Sequence, residues 1–209
     1  VQEDYIKHKQ EGKAWSWTIF RPQLIIGESI GSPMNLIPAI GVYAALQKEE
    51  GKPLFFPGKE TSVKEAIDVD LLARAILWAG NSDAACNETF NITNGDVFVW
   101  ENVWPAIAEA LGMEPGEPVP ISFKKEISKR EADWDRIREK YSLVAPGLTE
   151  FVGSSFEFAD RSFSELRNPT LVSTIKLRQA GFCEMMDTEI MFQKWFKLFQ
   201  DKGLLPRFL

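Results

Sequence analysis

Apolar residues follow two different periods along the chain, one typical of helices and one typical of strands. Near-helical spacing occupies residues 35–50, 69–79 and 99–111, whereas short β-rich runs occupy 17–26 and 88–93, each bounded by turn-forming residues. Further predicted helices cover 1–14, 123–140, 162–167, 171–180 and 188–202, and a short strand covers 53–56.

The alternation of strands and helices predicts an α/β protein. Only 17–26 and 88–93 are convincing core strands, which is too few for a self-contained doubly wound sheet, so we expect part of the sheet to lie outside this chain. Asn94-Gly95-Asp96 is interpreted as a turn, in which Asp96 accepts N–H bonds at the start of the next helix.

Composition and charge narrow the class of protein. The 209 residues are 44% hydrophobic and include seven Trp and fifteen Phe, which is typical of a globular chain. A net charge of −6 argues against nucleic-acid binding. No apolar run approaches the roughly 18–20 residues of a membrane span, so we expect a cytoplasmic protein. Two Cys and one His cannot form a standard four-ligand zinc site, so no metal is expected.

Several short motifs point to one known family. They are Gln2-Glu3-Asp4, Trp15-Ser16-Trp17, Arg21-Pro22 with Ile25-Ile26-Gly27, Ser32-Pro33-Met34-Asn35-Leu36, Val42-Tyr43-Ala44-Ala45, Phe56-Pro57-Gly58, Phe90-Asn91-Ile92-Thr93-Asn94-Gly95-Asp96-Val97-Phe98 and Ala180-Gly181-Phe182. In their order and spacing the chain resembles the C-terminal part of extended short-chain dehydrogenase/reductases of the progesterone 5-beta-reductase/iridoid synthase-like (PRISE-like) group. Residues 120–170 match only loosely.

The resemblance implies an NAD(P)-binding Rossmann fold with a mainly helical substrate domain. Residues 1–26 and 66–98 would be the remainder of the Rossmann domain, and 27–65 and 99–209 the substrate-binding domain. The Gly-x-Gly-x-x-Gly loop that binds the cofactor pyrophosphate in such folds does not occur in the sequence. We therefore expect that loop upstream of Val1, in a missing N-terminal half.

The resemblance also assigns site residues for NADP or NAD and for the substrate. The end of the strand at Arg21 to Ile25 would face the nicotinamide ring, and the loop after it would contact the far side of the cofactor. The cofactor-binding residues implied are Pro22, Gln23, Leu24, Ile25, Ser32 and Met34, and the substrate-pocket residues are Leu24 and Met185.

The family's catalytic Tyr would be the residue immediately before Val1. Tyr5 and Lys9 form a Tyr-x-x-x-Lys spacing that puts both on one helix face, so Tyr5 is a candidate substitute. Because Tyr5 lies only sixteen positions before Arg21, an exposed Tyr on a surface helix is the favoured interpretation.

One segment departs from the family pattern. Residues 59–68 are shorter than in the plant enzymes and carry Val63 near the place of an aromatic residue. Since this segment helps to cover the substrate, the substrate's identity cannot be transferred from the resemblance.

The function implied is that of an oxidoreductase in secondary metabolism, which transfers hydride from NAD(P)H to an activated C=C or C=O of an apolar small molecule. This chain would supply the substrate domain and the nicotinamide end, and the resemblance allows a homo-oligomer. Two alternatives stay open: a cofactor-independent isomerase, cyclase or small-molecule binding protein, and an inactive truncated fragment.

Overall fold

Strands and helices alternate in the computed structural model, which describes residues 1–59, 62–164 and 170–208. The strands are β1 Thr18–Pro22, β2 Leu24–Ile26, β3 Leu54–Phe55, β4 Ala66–Asp68, β5 Glu88–Ile92 and β6 Pro115–Gly116. The helices are α1 Gln2–Gln10, α2 Leu36–Glu49, α3 Val69–Ala79, α4 Trp100–Ala110, α5 Glu131–Lys140, α6 Leu148–Val152, α7 Ser155–Ser164, α8 Ile175–Gln179 and α9 Thr188–Asp201. This arrangement confirms the predicted α/β class.

The prediction of one strand over 17–26 is wrong, because two strands with different neighbours occupy that segment. β1 pairs in parallel with β5, from Thr18 opposite Glu88 to Pro22 opposite Ile92. β2 pairs in parallel with β4, a segment for which no strand was predicted. Pro22 has no N–H to donate to a ladder, so the pairing changes neighbour at this point.

The strongly periodic helices agree with the prediction, and the weaker ones do not. Helices α2, α3, α4 and α9 lie within one or two residues of their predicted bounds. The helix predicted over 123–140 begins only at Glu131, after turns and a short 3₁₀ segment at Ile127–Lys129. Helix α8 is shorter than 171–180. The helix predicted over 162–167 is the end of α7, and residues 165–169 lie outside the described part of the chain.

Two hydrophobic clusters form the core. The smaller one lies on the β4–β5 side and contains Ile67, Leu71, Ala75, Ala85, Phe90, Ile92, Leu177 and Phe182. The larger one is built mainly from helices, with α4 against α9 and α2 against α7. Phe163 stands at the centre of its aromatic residues, 5.0 Å from Trp100 and 5.6 Å from Phe123 between ring centroids. Each buried ring of this kind contributes about 1.5–3 kcal/mol.

The first helix, α1, lies on the surface of the protein. α1 buries none of its side chains and is held to β1 by the Arg21 guanidinium, which donates to both carboxylate oxygens of Glu3 at 2.8 and 2.6 Å. This pairing lowers the pKa of Glu3. α1 is therefore a surface helix, as predicted. Among the described residues, no helix is both long and apolar enough to cross a bilayer.

A buried carboxylate joins β4 to the last helix. Asp68 is 1% exposed and begins α3 by accepting hydrogen bonds from the N–H groups of Asp70 and Leu71. The same carboxylate accepts from Trp195 Nε1 at 2.9 Å and pairs with the Lys194 ammonium at 2.9 Å. Because a buried charge is costly unless it is paired, this arrangement fixes α9 against the start of α3.

The turn after β5 belongs to the same junction. The Asn94 amide oxygen accepts from the Asp68 N–H at 2.7 Å, and its amide nitrogen donates to Thr188 Oγ1 at 3.1 Å. The carboxylate of Asp96 accepts from the N–H of Thr188 at 3.0 Å. The prediction that Asp96 accepts at the start of the next helix is thus wrong in the identity of the helix, which is α9 and not α4.

We predict that Asp68→Ala lowers the free energy of unfolding by about 3 kcal/mol, because it removes a helix cap and leaves Trp195 Nε1 and Lys194 without their buried partner. Asp70→Ala is the matched control: its exposed carboxylate also binds Lys194, and its loss should cost less than about 1 kcal/mol. Urea denaturation of the two variants measures the difference. Equal losses would contradict the assignment of Asp68 as the junction.

Candidate functional site

A groove of about 630 Å³ lies where β1 ends and β2 begins. In parallel α/β sheets, ligands bind outside the carboxyl ends of strands, so the position suits a binding site. The described residues that line it are Pro22, Gln23, Leu24, Ile25, Met34, Ser62, Val63, Lys64, Glu65, Phe158, Arg161, Ser162 and Thr170. Residues at the strand end and residues of helix α7 thus line the same groove.

The side chain of Asn35 makes hydrogen bonds along the loop between β2 and α2. The Asn35 side chain accepts from the Ile37 N–H, which starts α2, and donates to the carbonyl oxygens of Gly27 and Ser29 at 3.0 and 2.9 Å. These hydrogen bonds connect the beginning of the loop, at Gly27 and Ser29, to its end at the start of α2. Met34, the residue before the cap, therefore has a defined position at the edge of the groove.

Helices α6 and α7 hold the same loop from the other side. The hydroxyl of Ser155 accepts from the Asn35 N–H at 3.0 Å and donates to the Ser32 carbonyl oxygen at 2.5 Å. The Gly31 N–H donates to the Phe151 carbonyl oxygen at 3.0 Å. Since α7 also carries Phe158 and Arg161, the loop and the helical wall of the groove are positioned together.

The described lining of the groove combines apolar, charged and hydroxyl side chains. Leu24, Ile25, Met34, Val63 and Phe158 supply its apolar surface. Charged side chains come from Lys64, Glu65 and Arg161, and hydroxyls from Ser62, Ser162 and Thr170. Glu65 is buried, and its carboxylate accepts from the Val172 N–H at 2.8 Å. Such a surface fits a small molecule with an apolar body and a polar end.

The structure brings together five of the residues assigned from the resemblance, Pro22, Gln23, Leu24, Ile25 and Met34. Ser32 and Met185 are not among the described residues that line the groove. Ser32 is bound through its carbonyl oxygen to Ser155, and Met185 is exposed beside Gly95.

Tyr5 also lies away from the described lining of the groove. It is 63% exposed on α1, with the Lys9 ammonium 5.5 Å from the centre of its ring. No described contact joins it to the end of β1.

Several lining residues were not assigned from the sequence, above all Phe158 and Arg161. Both come from α7, in the part of the chain that matches the family loosely. Val63 was noted only as a departure from the family pattern. A usable signal for α7 was present: Phe156, Ala159 and Phe163 recur at helical spacing and are all buried.

A second groove, of about 520 Å³, lies between the end of α2 and α5. Its charges are satisfied by one another: Lys140 binds Glu49 at 2.8 Å, and Arg130 binds Glu50 at 2.9 Å. The hydrogen bond from Lys140 lowers the pKa of Glu49. Because these side chains already pair, this groove offers a ligand less than the one at the strand ends. No cluster of His, Cys, Asp or Glu suited to a metal occurs in the described parts of the chain.

Sequence comparisons identify similar proteins. A family profile described as a PRISE-like Rossmann-fold domain matches residues 1–160. The chain is 38% identical to an (S)-8-oxocitronellyl enol synthase of Antirrhinum majus, over 91% of this chain and 50% of that protein. It is 31% identical to a 3-oxo-Delta(4,5)-steroid 5-beta-reductase of Arabidopsis thaliana, again over 91% and 50%. The chain therefore spans about half the length of the curated relatives it matches.

Solved structures share the fold. A UDP-N-acetylglucosamine 4-epimerase from Methanobrevibacter ruminantium M1 superimposes with a TM-score of 0.58 at 16% identity, over 96% of this chain and 51% of that one. A UDP-glucose 4-epimerase from Thermus thermophilus in complex with NAD gives 0.54 at 18% identity, over 95% and 51%. At these identities the likeness establishes the Rossmann-type fold.

We predict that Gly153→Ala destabilises the chain and displaces the loop that carries Met34. Gly153 has φ +59° and ψ −137°, and a Cβ there would lie 2.5 Å from the Gly31 carbonyl oxygen. The matched control is Gly51→Ala, at φ +67° with no atom within 4 Å of the added Cβ. Thermal denaturation should show a loss of about 1–2 kcal/mol for the control and a larger loss for Gly153→Ala. Indistinguishable losses would contradict the close approach.

Proposed function

Because the chain belongs to the PRISE-like Rossmann-fold family, we propose that it supplies the nicotinamide end and the substrate-binding part of an NAD(P)H-dependent reductase. The reaction proposed is hydride transfer to an activated C=C or C=O of an apolar small molecule. The observation that carries this proposal is the groove at the end of β1, in which residues 22–25 meet Met34 and the side chains of α7.

The groove fits a nicotinamide better than it fits a metal or a polynucleotide. Residues 22–25 line the groove where β1 passes into β2, and Ile25 and Met34 add apolar side chains to it. A reduced nicotinamide supplies a hydride when it is bound. The chain's own residues would orient the ring, exclude water from its apolar side, and hold the substrate against it.

The cofactor's phosphates and the proton donor are assigned to a missing N-terminal half. Among the described residues β1 has one strand neighbour, β5, so its other edge is open to a further strand. The relatives extend over about twice the length matched here. We propose that 1–26 and 66–98 belong to the Rossmann domain and 27–65 and 99–209 to the substrate-binding domain, a division that the two hydrophobic clusters support in part.

The substrate class is proposed from the lining of the groove together with the names of the relatives. One relative is named as acting on a 3-oxo-Delta(4,5)-steroid, and another as an 8-oxocitronellyl enol synthase. Both names describe small, mainly apolar carbonyl compounds. The apolar wall of Leu24, Ile25, Met34, Val63 and Phe158 suits molecules of that kind.

We predict that the 209-residue chain binds NADPH or NADH saturably but weakly, because it holds the nicotinamide groove and not the proposed phosphate sites. The fluorescence of the reduced nicotinamide follows this binding. Met34→Glu should weaken this binding about tenfold, because it adds a negative charge at the groove opposite an anionic cofactor. Ile30→Glu is the matched control: Ile30 belongs to the same loop, is 45% exposed against 61% for Met34, and is not among the described lining residues.

Equal effects of the two substitutions would contradict the assignment of this groove. Saturable binding of neither cofactor by a chain shown to be folded would favour a cofactor-independent isomerase, cyclase or binding protein, which uses the same apolar groove without a nicotinamide.

A further inference from the structure

The charged end of the groove points to a more specific ligand. We propose that the Arg161 and Ser162 end binds a carboxylate, so that the substrate is an apolar molecule that carries one. This inference rests on the proposed function for the position of the substrate and adds the chemical class of its polar group.

The described lining of the groove carries more positive than negative side chains. Lys64 and Arg161 contribute two positive charges, and among the described lining residues Glu65 contributes the single negative charge. The chain as a whole has a net charge of −6. The described lining residues thus carry a net positive charge on an acidic protein, which favours anions over cations at this surface.

The Arg161 guanidinium has no hydrogen-bond or ion-pair partner among the described residues. Both acidic residues before it on α7 already have partners: the Lys124 ammonium binds Glu157 at 2.5 Å, and Asp160 accepts from the Ser122 hydroxyl at 2.7 Å. The pKa of Glu157 is lowered mainly by Lys124, with a smaller coulombic contribution from Arg161. The Glu65 carboxylate is engaged by the Val172 N–H. Arg161 makes no hydrogen bond or ion pair with any described residue, and its planar guanidinium binds a carboxylate through two parallel N–H bonds.

The rest of the described lining supplies hydroxyl groups and an aromatic ring near Arg161. Hydroxyls from Ser62, Ser162 and Thr170 line the groove and can donate to the same anion. Phe158 lies one helical turn before Arg161 and Ser162 on α7, so an apolar body beside Phe158 places its polar end near the guanidinium. The geometry therefore suits a ligand whose carboxylate lies at one end of an apolar skeleton.

A matched pair of probes tests this proposal. 4-Phenylbutanoate and 4-phenyl-1-butanol share one skeleton and differ in the carboxylate. Isothermal titration of the 209-residue chain at neutral pH should show about tenfold tighter binding of the acid, because hydrogen bonds to charged groups are the stronger ones. Equal affinities for acid and alcohol would overturn the proposal.

Four variants assign the effect to its residue. Arg161→Gln should abolish the preference for the acid and leave alcohol binding unchanged, while Arg161→Lys keeps part of it. Phe158→Ala should weaken both probes. Arg136→Gln, an exposed Arg of α5 that lines the second groove, is the matched control and should change neither. An Arg161→Gln variant that loses acid and alcohol equally, or a control that loses as much, would overturn the assignment.

A further titration tests whether Arg161 binds a carboxylate of the substrate or a phosphate of the cofactor. With saturating NADPH present, the acid should still bind with its Arg161-dependent preference. Displacement of the acid by NADPH would assign Arg161 to a cofactor phosphate and overturn the substrate proposal. If NADPH does not bind but the acid preference and its loss in Arg161→Gln persist, the reductase function fails and the carboxylate site stands.

Discussion

The carboxylate of Asp68 lies at the end of β4 and accepts hydrogen bonds from two helices, α3 and α9. Two N–H groups at the start of α3, Trp195 Nε1 and the Lys194 ammonium all donate to it. Loss of one partner of such a buried pair would leave an uncompensated charge, so these contacts are costly to break. Asn94 extends it to the turn after β5. β4, which ends at this junction, pairs with β2, and the first residues of β2 line the groove.

The two walls of the groove are linked by hydrogen bonds that cross more than a hundred positions of sequence. Ser155 joins the loop after β2 to the start of α7 through both Asn35 and Ser32. Gly153 allows the backbones of this region and of Gly31 to approach more closely than a side chain would permit. These contacts join the loop that carries Met34 directly to the start of α7, which carries Phe158 and Arg161.

Sequence patterns predicted the elements whose own periodicity is strong. α3 and α4 have a clear apolar face, α2 is apolar nearly throughout, and α9 carries a stripe of Met, Phe and Trp. The division of residues 17–26 between two neighbours was not predictable from periodicity, because it depends on which strands lie beside Pro22. The Asp96 contact with α9 was missed for a similar reason: its partner is 92 residues away. The resemblance assigned groove residues at the strand end but none on α7, which lies within the loosely matching residues 120–170.

Helix α7 carries stability and ligand contact on different faces. Phe156, Ala159 and Phe163 are buried in the larger core cluster, whereas Phe158, Arg161 and Ser162 line the groove. Arg161 is exposed and contributes little to packing, so its replacement changes the chemistry of the groove at small cost to the fold. The strand end offers mainly backbone and aliphatic surface, which suits a cofactor common to many reactions. Under the proposed function, α7 and residues 62–65 would supply the side chains that distinguish one substrate from another.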